Sequence, residues 1–173
     1  MEGKGLPELI LAIAAGTAAA ATRRSRQAAA CSANALPQIA RGGPEPARRV
    51  AEAPGALPAL IAALAAGGAA ASPSLQRAAA DSAAVLAQIA SADPDLARCV
   101  AEVPRAPATL FVALAAGGAT ATPSKQHAAR DSAAVLAHVA SAGPGLAWQV
   151  AQVRGALAAL VAAVAAGGDA AVP

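Results

Sequence analysis

Apolar positions fall into three kinds of block along the chain. In PDLARCVAEV (94–103), Leu96, Val100 and Val103 stand at i, i+4 and i+7, one stripe of a short helix. In ALPALIAALAAGG (56–68), Leu57, Leu60, Ile61 and Leu64 share a face, and Gly67 and Gly68 end the run. In SLQRAAADSAAVLAQIAS (74–91), Val85, Leu86 and Ile89 form the inner face of a longer helix. Asp93-Pro94 and Ser72-Pro73 precede the first and third blocks, each an N-cap residue with proline at the first helical position. Pro54-Gly55, Pro104-Arg105 and Arg154-Gly155 mark the turns between the first and second blocks.

These blocks return. APATLFVALAAGG (106–118) and ALAALVAAVAAGG (156–168) repeat the second block at a spacing of 50 residues. SPSLQRAAADSAAVLAQIASADPDLARCVAEV (72–103) aligns with TPSKQHAARDSAAVLAHVASAGPGLAWQVAQV (122–153), and TRRSRQAAACSANALPQIARGGPEPARRVAEA (22–53) fits the same frame. The second block is too short, at 13 residues, for a membrane helix, which needs about 20. LPELILAIAAG (6–16) copies LPALIAALAAG (57–67), so the apolar N-terminus reads as a further copy, and Glu2 and Glu8 argue against a signal peptide. One domain over 1–173 is expected, with units near 6–43, 44–92, 93–142 and 143–168, the first and last incomplete. Leu157, Leu160, Val161 and Val164 would then lack a following unit to cover them.

Composition points the same way. Aromatics are 1% of the 173 residues, and alanine, the strongest helix former, dominates the apolar fraction. An all-α fold follows. Methyl groups remove little area from water, at about 25 cal/mol per Å², so the core is thin and depends on close helix approach.

Short, short and long helices in tandem bury their stripes only by stacking, as in an α-solenoid. The blocks resemble the armadillo repeat family. PDLARCVAEV, the turn and ALPALIAALAAGG are similar to its first two helices, and LQRAAADSAAVLAQIASA to its third, over the span Leu6 to Gly168. The resemblance implies a right-handed α-solenoid of three-helix repeats, with a HEAT-like α-α superhelix as the alternative. The unit is longer than the family's, and the surplus sits in the Ala/Gly/Ser/Pro loop after the second helix.

The resemblance also implies a function: a non-catalytic scaffold that binds a partner protein or extended peptide along the concave face of its third helices. In the family an Asn near the end of each third helix holds the partner's backbone, and a Trp one turn earlier packs on its side chains. Here the Asn position holds Gln38, Gln88 and His138, and the Trp position holds Asn34, Ala84 and Ala134. Helical spacing marks the same surface independently. His127, Asp131 and His138 fall near one line, as do Arg77, Asp81 and Gln88, and before them Gln27, Cys31 and Gln38. The candidate partner-binding residues are thus Asn34, Gln38, Arg77, Asp81, Gln88, His127, Asp131 and His138.

Other chemistries find little support. His127 and His138 are about 16 Å apart along a helix, too far for one metal ion. His127 and Asp131, four apart, read as a salt-linked pair. Ser82 and Ser132 follow Asp81 and Asp131, but neighbours on a helix point about 100° apart and make no dyad. Gly67-Gly68 lacks a P-loop lysine. No enzyme activity, metal or cofactor is expected. The net charge is +3, with Arg23, Arg24, Arg26, Arg48 and Arg49 concentrated early, so a nucleic-acid-binding helical repeat is the alternative function. A truncated piece of a larger armadillo protein is another. Cys31 and Cys99 do not match within the repeat and read as small buried residues in a reducing compartment, cytoplasm or nucleus, with an organelle address left open. Trp148 is expected to shield the end of the array. No membrane partner is expected.

Overall fold

The computed structural model describes residues 5–18, 21–68, 70–118, 120–153, 155 and 158. These form an all-α protein, with no strand among the described residues. In chain order the helices are α1 (Gly5–Thr17), α2 (Arg23–Ala40), α3 (Pro44–Glu52), α4 (Ala56–Ala66), α5 (Pro73–Ala92), α6 (Pro94–Glu102), α7 (Ala106–Ala115), α8 (Pro123–Ser141) and α9 (Pro144–Gln152). Proline at the first helical position opens α3, α5, α6, α8 and α9, where its missing N–H costs nothing. The expected segments 6–16, 44–53, 56–68, 74–91 and 94–103 all coincide with helices to within a few residues. Leu157, Leu160, Val161, Val164 and Arg154 lie outside the described residues.

Among the described residues the helices pack in two side-by-side series, with α3 and α6 laid against one of them. α5 lies between α2 and α8, α4 lies between α1 and α7, and α3 and α6 rest on α5 and α8. Leu60, Val85, Leu86, Ile89, Val100 and Leu110 are at most 1% exposed in the resulting core. Among the described residues no single helix is long and apolar enough to cross a membrane.

The glycines at the ends of the short apolar helices have a different reason from the one their position suggests. Gly67 is at φ −77°, an ordinary right-handed value, so the C-cap does not demand glycine. The demand comes from packing. A Cβ on Gly67 would collide with the Cβ of Ala79 in α5, and one on Gly117 with the Cβ of Ala129 in α8. Gly16 meets Ala29 in α2 in the same way. Each glycine lets one helix end lie directly against the first turns of the next.

The turn before α4 does need a left-handed residue. Gly55 sits at φ 76° behind Pro54, and the Ala56 N–H donates to the Ala53 carbonyl at 3.0 Å, the pattern of a type II turn. Before α7 the same turn places Arg105 at φ 68°, a conformation that glycine adopts at lower cost.

Candidate functional site

The polar rows expected from helical spacing lie on α2, α5 and α8, three helices packed side by side. Their depths differ. Asn34 and Gln38 on α2 are exposed, whereas Asp81 and Gln88 on α5, and Asp131 and His138 on α8, are half-buried. Arg77 and His127 stand exposed one turn before the aspartates. The surface is therefore recessed along α5 and α8 and open at α2. Gln88 and His138 each lie one turn beyond Ala84 and Ala134, so no large side chain shields them from their own helix.

Contacts across the helices follow a slanted register. The Asn34 side-chain amide lies close enough to the Asp81 carboxylate, across the α2–α5 contact, to favour its charged form. The pair is 47 residues apart in sequence, so facing positions are shifted by about one helical turn from the 50-residue period. Burial pushes the Asp81 carboxyl above its ordinary value, while the Arg77 guanidinium and the Asn34 amide pull it back. Asp81 Oδ2 is enclosed and has no hydrogen-bond partner among the described residues. Asp131 is also raised, again mainly by burial, with Arg130, His127 and Arg41 opposing. His127 and Asp131 do not form the expected salt bridge, although the His127 charge still acts on Asp131.

Arg41 and Arg130 were not among the expected site residues. Arg41 caps the end of α2 and acts on Asp131 from across α5. Arg130 replaces the alanine that the pattern has at Ala80 and Ala30, a departure from the repeat that is visible in the sequence. The structure also joins α5 to the start of α8 through one side chain. Gln76 donates to the Ala71 carbonyl at 3.0 Å and accepts from Thr122 Oγ1 at 2.9 Å. Ser72 and Thr122 occupy N-cap positions, as expected, but neither side chain caps its helix. Asp93 does, accepting from the Asp95 N–H at 2.8 Å.

The remaining expectations divide. Ser82 and Ser132 are fully buried, with hydroxyls that lack a partner among the described residues, and stand away from any nucleophilic arrangement. Among those residues no three of His, Cys, Asp and Glu gather as a metal site would require. Cys31 and Cys99 are exposed, contrary to the expectation of burial. Cys31 lies on the polar line with Gln27 and Gln38, which turns it outward. Trp148 is 67% exposed, so most of its ring faces water. The basic cluster is dispersed. Arg23 and Arg24 open α2, about 27 Å of helix from the start of α3, and Arg48 is tied to Asp93 at 2.7 Å.

No family model matches the chain, and no curated protein matches it.

Proposed function

We propose that the chain is a non-catalytic, armadillo-like α-solenoid that holds an extended segment of a partner protein in the groove of α2, α5 and α8. Three features support the solenoid reading: the 50-residue recurrence, the short-short-long helix order and the side-by-side series α1–α4–α7 and α2–α5–α8. The observation that carries the binding reading is the recessed polar floor. Asp81, Gln88, Asp131 and His138 are half-buried there, so polar side chains with part of their surface in water line the two adjacent helices. Gln88 and His138 offer further donors and acceptors to a main chain lying across the helices.

The test is selection from a library of extended peptides, followed by titration of the enriched sequences. Gln88→Ala/His138→Ala and Asp81→Ala are each expected to weaken binding by about tenfold, the worth of roughly one hydrogen bond to a charged group. Peptides that bind all three proteins equally would place their site elsewhere and end the groove reading. A library that yields no binder would end it as well.

A further inference from the structure

The groove helices carry a charge imbalance that the other described helices do not share. α2, α5 and α8 hold Arg23, Arg24, Arg26, Arg77, Lys125 and Arg130 against two carboxylates, Asp81 and Asp131. On α3 and α6 the balance runs the other way, with Glu45, Glu52, Asp95 and Glu102 against three arginines. The arginines are also used differently. Arg48 of α3 contacts Asp93 at 2.7 Å, and Arg98 of α6 contacts Asp95 at 2.9 Å. Arg41, Arg77 and Arg130 make no such ion pair among the described residues, and all three are exposed.

The two groove carboxylates are half-buried, and these arginines act on them from nearby. Arg77 acts on Asp81, and Arg130 and Arg41 act on Asp131. Arg41 caps α2 while Asp131 belongs to α8, so its charge is felt over α5, the helix between them. Exposed cations beside recessed carboxylates make a surface whose outermost charge is positive. The arginines outnumber the acids as well as standing further into water.

We infer that the extended segment held by this groove is acidic. The inference rests on the groove reading of α2, α5 and α8 and adds the chemistry of the occupant. Neighbouring helices pack about 8–10 Å apart, so three of them span roughly 20 Å, the reach of about six extended residues. The main chain of such a segment crosses Gln88 and His138, and its Asp or Glu side chains reach the guanidinium groups of Arg41, Arg77 and Arg130. A guanidinium offers a carboxylate two parallel N–H donors, which fixes position as well as adding attraction. A basic segment would have to pass the arginines before it met Asp81 or Asp131. A nucleic acid fits less well. α2, α5 and α8 contain no aromatic residue on which a base could stack, and two carboxylates lie where its phosphates would run.

Peptide-library selection on the full chain, followed by anisotropy titration of the enriched peptides with a fluorescein label, tests the inference. The enriched sequences are expected to hold more Asp and Glu than the starting library. Their affinity should fall about tenfold in Arg41→Gln/Arg77→Gln/Arg130→Gln, the combined worth of three exposed ion pairs. Raising NaCl from about 50 to about 500 mM should weaken wild-type binding by a similar factor, because such pairs are screened. Circular dichroism of the variant should match the wild type, since its three arginines stand in water without ion-pair contacts. Neutral or basic binders that are weakened by Gln88→Ala/His138→Ala would overturn the inference and leave the groove in place. Acidic binders that ignore both the arginine variant and salt would overturn it too. So would an oligothymidylate that displaces the peptide and binds more tightly. A selection that yields no binder removes the groove itself, and the acidic occupant with it.

Discussion

Ile39 in α2 and Ile89 in α5 hold the same place in the recurring pattern, yet Ile39 is 40% exposed and Ile89 is fully buried. The difference comes from neighbours. α5 packs against α2, α3, α4, α6 and α8, while α2 packs against α1, α3 and α5. Other positions vary with the same boundary. α2 tolerates Pro37 inside the helix where α5 has Ala87, and it has Cys31 where α5 has Asp81. Thr22 caps α2 in the ordinary way, whereas Ser72 leaves α5 without a side-chain cap. A helix enclosed by five others can do without its own cap, because packing and not local hydrogen bonding holds its ends.

The largest consequence concerns the isoleucines themselves. Ile89→Ala is expected to cost about 3–4 kcal/mol, because the cavity opens among atoms that cannot all close in. Ile39→Ala should cost under about 1 kcal/mol, since water already reaches that side chain. Denaturant midpoints of the two variants measure the gap. Equal losses would mean that α2 is as enclosed as α5 in solution, and the comparison would fail.

The glycine contacts sharpen it at an intermediate scale. Gly67→Ala and Gly16→Ala should each destabilise by roughly 1–3 kcal/mol, the usual range for forced overpacking. Their rescue should differ. At Gly67 the collision is with the Ala79 Cβ, and the other neighbours lie at 3.4 Å or beyond, so Ala79→Gly restores the space. At Gly16 the new Cβ also lies 2.7 Å from the Ser25 carbonyl oxygen, which is backbone and cannot be trimmed. Gly67→Ala/Ala79→Gly is therefore expected to recover most of its clash energy, and Gly16→Ala/Ala29→Gly much less. A double-mutant cycle on melting temperature distinguishes the two.

Much of this was legible in the residues. The 50-residue recurrence and the cap-proline pairs placed the helices to within a few positions, because proline and N-cap preferences act locally. The core leucines and isoleucines declared themselves by spacing. What stayed hidden is relational. Gly67 reads as a helix terminator in sequence, and only the position of Ala79 shows that it is a contact surface. Cys31 and Cys99 were misjudged from the average burial of cysteine, although Cys31 shares its helical line with Gln27 and Gln38. The Asn34–Asp81 pair escaped because the period supplies equivalent positions, while facing positions depend on how far one helix slides along its neighbour. Arg41 reaches the site from beyond a helix end, where no periodic argument looks.

The smallest effect falls on the polar position where the two helices differ most in chemistry. Burial raises the Asp81 carboxyl above its ordinary value of 3.8, so the folded chain holds that proton more tightly than the unfolded chain. Stability from this group is therefore greatest below 3.8 and declines as pH rises through the raised folded value. Asp81→Asn keeps the shape, removes the charge and retains a polar group opposite Asn34. It should stabilise the protein slightly at pH 7, and the gain should shrink to nothing as pH falls below the ordinary carboxylate value. Cys31→Asn, at the exposed counterpart on α2, should show no such dependence between pH 3 and pH 7. Urea midpoints measured across that range decide it. A gain from Asp81→Asn that does not vary with pH would show that the carboxylate is as well hydrated on α5 as it would be on α2, and that the recessed floor of the groove is open to water.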